Sequence, residues 1–414
     1  MLATNPPTPI LDNETHAATA LLPIMAVVLI AFLIIGFALP VLPLHVHQNL
    51  GLSMFVVGLV GGSQFAAAII SRVWSGRCAD RRGAKRAVIV GLLTAIAAGV
   101  LYLLSLRFVG APWVSVTILL IGRALLGCAE SFVITGAVTW GLALVGTQRA
   151  GRVIAWMGMA MFAAFAVGAP FGTSLYAIGG FAAVAIATTL VPLATLALVA
   201  PLSSVIPQRG AKPGMMKVIG AVWLPGVGSA LSSIGFGAIL AFSALISADH
   251  GWNPVWLSFS AFAVSLVLAR AFLGHLPDKL GGARVAVFCA VVEAAGLTLI
   301  WLSSGRGIAA IGAALTGFGY ALVYPALGVE AVRAAPPESR GLAMGAYTVF
   351  LDVALGFGSP VLGLVAGWAG LGSVFLASAL AVLGGALVAT RLLIAAPSRK
   401  ERIVFTLDRM KCAP

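Results

Sequence analysis

The chain has 414 residues, 61% of them hydrophobic and 9% charged, with a formal net charge of +13. Soluble domains carry about 25% charged residues, so this composition excludes a soluble globular fold. Apolar runs of about 20 residues recur along the sequence, each long enough to cross a bilayer core of about 30 Å. No polar–apolar alternation marks a barrel. The reading is an all-α membrane protein, in which each span satisfies its own backbone hydrogen bonds.

Residues 1–20 contain Asp12 and Glu14 but no Lys or Arg. They lack the basic region of a cleaved leader, and the first helix is expected to stay in the membrane. Twelve spans are predicted. Six fall near 22–46, 54–74, 87–107, 113–138, 153–177 and 181–201, and six near 218–247, 254–273, 284–302, 308–332, 342–368 and 371–395. The expected organisation is a cytoplasmic segment 1–21, a six-helix bundle 22–202, a cytoplasmic linker 203–217, a second six-helix bundle 218–395 and a basic cytoplasmic tail 396–414. The linker is marked by Pro207, Gly210, Pro213 and Gly214 among Arg209, Lys212 and Lys217.

The bases set orientation. Even-numbered loops and the tail carry nearly all of them, including Arg149 and Arg152, while odd-numbered loops carry only Arg107 and Arg306. With positive residues inside, both termini face the cytoplasm, in what is expected to be a bacterial inner membrane. This use of the bases leaves no need for a nucleic-acid partner.

Between the second and third spans lies Gly76-Arg77-Cys78-Ala79-Asp80-Arg81-Arg82-Gly83-Ala84-Lys85-Arg86, one acid and five bases in eleven residues. A weaker copy, Gly274 to Arg284 with Asp278 and Lys279, follows 198 positions later, and Arg72 and Arg270 share that offset. The fifth span carries Gly168-Ala169-Pro170 with Gly172, the eleventh Gly358-Ser359-Pro360. Corresponding spans run in the same direction, so the halves form a parallel repeat about an axis along the membrane normal.

These features resemble the major facilitator superfamily over about residues 22–391. Gly76, Asp80, Arg81, Gly83 and Lys85 match its signature loop, and Arg123 and Gly127 its fourth-span signature. Gly168, Pro170 and Gly172 resemble the efflux Gly-Pro signature, interrupted by Ala169, and Pro40 to Leu44 with Gly58 are similar to the drug- and sugar-efflux branch, arabinose-efflux-like members included. The resemblance implies alternating access around a mid-bilayer cavity lined by spans 1, 4, 7 and 10. It also implies that the hairpin latches the halves, with Asp80 near the start of span eleven at Arg340-Gly341. Glu330 and Arg333 are assigned to a second latch with Asp278.

A charge at the bilayer centre costs about 2.5–3.5 kcal/mol. Arg123 is read as the one base deep within a span. Glu130, seven residues on and on the same face, is the first candidate proton carrier, with a static Arg123–Glu130 pair as the alternative. Asp352, near mid-depth, is the second acid. It has no repeat mate: Phe162 occupies the matching place when the Gly-x-Pro motifs are aligned. Glu293 is read as structural or interfacial. Gln64, Ser229, Ser232 and Ser233 are candidates for the cavity wall. Ala160, Ala164, Gly168 and Gly172 form a small-residue stripe suited to close packing or to a sliding seam.

No phosphate-binding Gly-Lys-Ser/Thr loop, metal-type Cys/His spacing or nucleophile–base motif occurs in the sequence. No cofactor, metal or catalytic residue is expected. The predicted activity is proton-coupled efflux of a small organic molecule by a monomer, its partners being substrate, protons and the lipid bilayer. An importer or passive facilitator is the alternative, and a transporter-like receptor a more distant one.

Overall fold

The computed structural model describes residues 14–146, 150–204, 215–335 and 340–395. Most of the predicted linker (205–214, with Arg209 and Lys212), the tail from 396, Arg149, and the side chains of Arg152, Lys217 and Arg340 lie outside the described set.

The first half comprises α1 (Glu14–Leu44), prolonged by a π-helical turn His45–Asn49, then α2 (Met54–Arg82), α3 (Ala84–Ser105) and α4 (Pro112–Val145). A continuous helix, Ala150–Val199, follows, broken at Gly179 and at Gly180 with φ +61. That backbone suits glycine because it has no Cβ to clash, and it divides the stretch into α5 (150–178) and α6 (181–199). The second half comprises α7 (Met215–Asp249), α8 (Leu257–Leu273), a short turn Leu276–Leu280, α9 (Gly282–Trp301), α10 (Arg306–Ala334), α11 (Arg340–Ala369) and α12 (Leu371–Ala395). Ten helical stretches among the described residues are long and apolar enough to cross a membrane, with 153–199 counted as one. The 17-residue α8 is a shorter apolar helix. Its length lies at the lower limit for a span, and with α5 and α6 separated it completes twelve.

The predicted hairpin is helical rather than looped. Sequence hydropathy ends the second span near 74, yet α2 continues through Arg82, and the turn to α3 is Gly83 alone, at φ +97. Its repeat mate Gly281 has φ +93 and opens α9. Gly76 sits inside α2 with open space where a Cβ would project, so no clash requires glycine there.

The repeat is visible in the packing. α1 packs on α5, α2 on α4, and α3 on α4 and α6; six helices later α7 packs on α11, α8 on α10, and α9 on α10 and α12. The halves meet along α2–α11, α5–α8 and α1–α7.

They are not equally close at both ends. At the face away from the termini, residues 34–46 of α1 and 235–247 of α7 are buried on every side. There a Cβ at Gly58 would strike the backbone of Ser359 and Pro360, and one at Gly62 the Gly356 carbonyl. Towards the terminal face the same central helices expose Leu22 (64%) and Trp223 (55%). Among the described residues the halves are close-packed at the far face, and the central helices are more exposed towards the terminal one.

The small-residue stripe on α5 packs closely on α1, within one half: Gly168 lies on Gly36 and Gly172 on Phe37. The glycine-lined seam between halves is α2–α11, where Gly356 and Pro360 meet Gly62 and Gly58.

Candidate substrate and proton site

Each long helix is apolar enough to be placed by lipid and by its neighbours, so the few charges it carries are fixed in depth. Asp352 of α11 is 3% exposed and Arg72 of α2 28%. Arg72 Nε donates to Asp352 Oδ2 at 2.6 Å, and Nη2 to Oδ1 at 3.0 Å. This two-pronged geometry is the strong form of a charge-assisted bond, and it joins the two halves. Beside it Gln64 Nε2 donates to Glu130 Oε2 at 2.6 Å. Glu130 lies within electrostatic reach of Asp352, Arg72 and Arg123.

Arg123 is 2% exposed, and its Nε and Nη1 have no hydrogen-bond partner. Among the described residues it makes no ion pair, so the static Arg123–Glu130 pair is absent. It borders a cavity of about 20 Å³ lined from α1, α2, α7 and α11, room for about one water. The guanidinium lies against Tyr102, and its unpartnered Nε and Nη1 can bind an anion or a proton-exchanging carboxylate that approaches them.

Arg123 is not the only deep base. Arg72 lies ten residues before the end of α2, and Arg270, in the last turn of α8, is turned in between the halves; sequence reading did not assign either because hydropathy falls towards the basic hairpin that follows each. Arg270 of α8 stands 4.7 Å over the Phe162 ring of α5 and donates Nε to the Ala321 carbonyl at 3.1 Å. The aligned repeat pairs Arg72 with Arg270 and Asp352 with Phe162. The same cross-half contact is therefore an ion pair on one side and a cation–π contact on the other. A guanidinium over an aromatic face is attractive by about 0.5–2 kcal/mol. Aromatic residues surround this second contact. Phe236 stacks on Tyr320 at 4.9 Å, and Tyr324 lies 5.0 Å from Tyr347 with its hydroxyl 2.9 Å from Thr348. Sequence reading did not single out these tyrosines; their shared presence on α10 and α11 was the available signal.

Other candidates are dispersed. Ser232 donates to Glu293 Oε2 at 2.5 Å inside the second bundle. Glu293 is fully buried, so it is not interfacial. Ser233 donates to the Ser229 carbonyl at 2.7 Å, while the Ser229 hydroxyl is buried without a partner.

Among the described residues the latch residues make no bond between the halves, and the side chain of Arg340, in the expected partner Arg340-Gly341 of Asp80, lies outside the described set. Asp80, Arg81 and Arg82 are exposed, and Asp80 has no ion pair among the described residues. Lys85 Nζ instead donates to the carbonyls of Ala200 and Leu202, both at 2.7 Å, capping the end of α6 in its own half. Glu330 accepts from the Ala283 backbone at 3.2 Å and from Arg333 at 3.3 Å. It caps α9, and neither residue joins Asp278, which is exposed like Lys279. Gly274 ends α8 against the Arg270 carbonyl. Gly358 approaches only Ile234.

Two six-helix bundles, repeated in parallel and joined by a buried charge pair, define a membrane transporter fold. The sequence matches the family model described as Major Facilitator Superfamily over residues 24–253 and 225–408. It is 42% identical over 381 residues to an uncharacterized MFS-type transporter of Salmonella typhimurium, covering 92% of this chain and 98% of that protein. Among solved structures it is similar to a D-xylose-proton symporter (TM-score 0.73, 14% identity, 89% of this chain and 97% of that one). It is also similar to the nucleoside transporter NupG (TM-score 0.70, 13% identity, 90% and 99%). The chain belongs to the Major Facilitator Superfamily, and it is a multi-pass membrane transporter, not an enzyme by kinship.

Proposed function

We propose that this protein is a proton-coupled secondary transporter that exports a small organic molecule across a bacterial inner membrane by alternating access. It works as a monomer with both termini in the cytoplasm. The observation that carries the reading is the Arg72–Asp352 pair across the halves, with a second, half-buried acid, Glu130, held by Gln64 within electrostatic reach of it. With basic loops on the cytoplasmic side, the more exposed terminal face opens inward. In this conformer Arg72 holds both carboxylate oxygens of Asp352. The substrate then meets Arg123 from the cytoplasmic side. Protonating Asp352 removes the charge that holds α2 to α11 and frees the halves to rock, and Glu130 carries the proton past Arg123.

The test is proton movement in everted vesicles with an acidified lumen, challenged with a panel of sugars, amino acids and drugs. Export predicts that some compounds release luminal protons and that Glu130→Gln abolishes the release at unchanged expression. A second reading, uptake or passive passage, has the interrupted Gly168-Ala169-Pro170 motif in its favour. One structural relative is a D-xylose-proton symporter, so fold alone does not set direction. Compound-dependent fluxes without proton release support passive passage. Wild-type phenotype retained by both Glu130→Gln and Asp352→Asn excludes acid-coupled transport and supports a receptor.

A further inference from the structure

The groups that face one another between the halves do not balance in charge. Among the described residues three arginines, Arg72, Arg123 and Arg270, lie at this level with two carboxylates, Asp352 and Glu130; Glu293 is turned into the second bundle against Ser232. Asp352 is taken by Arg72. One cation remains in excess in an apolar bundle, where unpaired charge is retained for function. Arg270 is the base farthest from compensation. Its Nε is bonded to the Ala321 carbonyl, and its two terminal nitrogens make no hydrogen bond among the described residues and keep solvent access. The Phe162 ring holds the guanidinium from one face, and Tyr320, Tyr324 and Tyr347 stand within electrostatic reach. Gly158 opposite has no side chain; a Cβ there would come within 3.4 Å of Nη1. The fork of a guanidinium matches a carboxylate, and the surrounding rings match a flat apolar body.

We propose that Arg270, with Phe162, Tyr320, Tyr324 and Tyr347, is the binding site for the carboxylate and ring of an aromatic organic acid. This monoanion supplies the missing negative charge and is the class of substrate carried. The inference rests on the transporter reading above. A lipid phosphate has similar chemistry, and the test separates the two.

The probe is 4-phenylbutyrate, compared with its neutral amide and with 4-phenylbutylamine. Binding is measured calorimetrically to the full chain in phosphatidylcholine nanodiscs. The expected result is saturable binding of the carboxylate alone, weakened about tenfold to hundredfold in Arg270→Gln. Phe162→Asp, which supplies Arg270 with an internal carboxylate, abolishes binding while the protein still elutes as a folded particle. If Arg270→Gln does not fold, Phe162→Asp decides alone. Equal binding of acid and amide, or unchanged affinity in Phe162→Asp, overturns the proposal. So does displacement of the probe by phosphatidylglycerol in the disc, which assigns the pocket to a lipid headgroup. If amines or neutral compounds drive Glu130-dependent proton release while the acid does not bind, the substrate class falls and the transporter reading stands. If the acid binds through Arg270 and nothing moves protons, the coupling falls and this site stands.

Discussion

Replacing Asp352 with Asn tests the pair that joins the halves. The amide keeps the shape of the carboxylate but loses the charge that Arg72 holds at 2.6 and 3.0 Å. Breaking a fully buried pair costs about 3–5 kcal/mol. Arg72 is 28% exposed, so water solvates the freed guanidinium and the lower figure of about 1–3 kcal/mol applies. The pair is formed in the conformer closed at the far face, so the loss falls on that conformer. The equilibrium should move about 5- to 150-fold towards the one open there. Spin-label distances read this directly in a chain whose native cysteines are replaced. Labels at Gly110 and Ser304 span the far face and labels at Leu144 and Ala334 the terminal face. The Asp352→Asn variant should lengthen the first distance and shorten the second. The swapped pair, Arg72→Asp with Asp352→Arg, should restore the parent distribution. Unchanged distances in the single variant, or no recovery in the swap, would refute the assignment of this pair as the tie between halves.

Three further outcomes follow from packing and capping. Gly62→Val places a branched side chain against the Gly356 carbonyl; overpacking of this kind costs about 1–3 kcal/mol, so far-face accessibility to a thiol reagent should rise without unfolding. Glu293→Leu leaves the Ser232 hydroxyl without its acceptor, and the purified protein should lose about 1–3 kcal/mol of stability as a lower melting temperature, with proton release retained in the protein that remains folded. Asp80 is exposed, and Asp80→Asn removes no ion pair among the described residues. It should leave the melting temperature unchanged and slow initial transport rates severalfold if Asp80 engages only when the terminal face closes; equal rates would remove it from the cycle.

The bundle architecture was legible because each span announces itself by length and apolarity, and because the copies Gly83 and Gly281 occupy one special backbone conformation at matching positions. The site was legible in part. Glu130, Asp352 and Arg123 stood out as charges in apolar runs. Arg72 and Arg270 were concealed by the basic hairpin after each, which made them look like the ends of spans; the helix of Arg72 runs on to Arg82, while Arg270 stands in the last turn of α8 yet turns in between the halves. The alignment that placed Phe162 opposite Asp352 contained the needed relation, but a contact between residues 280 positions apart has no local signature. The local partners of Lys85 and Glu330 were not legible in the sequence: the carbonyls at the end of α6 and the free N–H group at the start of α9 are brought to them by folding within each half.

The connections on the far face have one more consequence. They are only residues 50–53, 106–111, 179–180, 250–256, 302–305 and the single Gly370. None is long enough to present an epitope by itself. An antibody fragment selected on that side must touch several connections at once, from both halves, and so it must recognise their spacing. Such reagents would sort themselves into those that trap the closed far face and those that wedge it open, giving conformation-specific tools without any knowledge of the substrate.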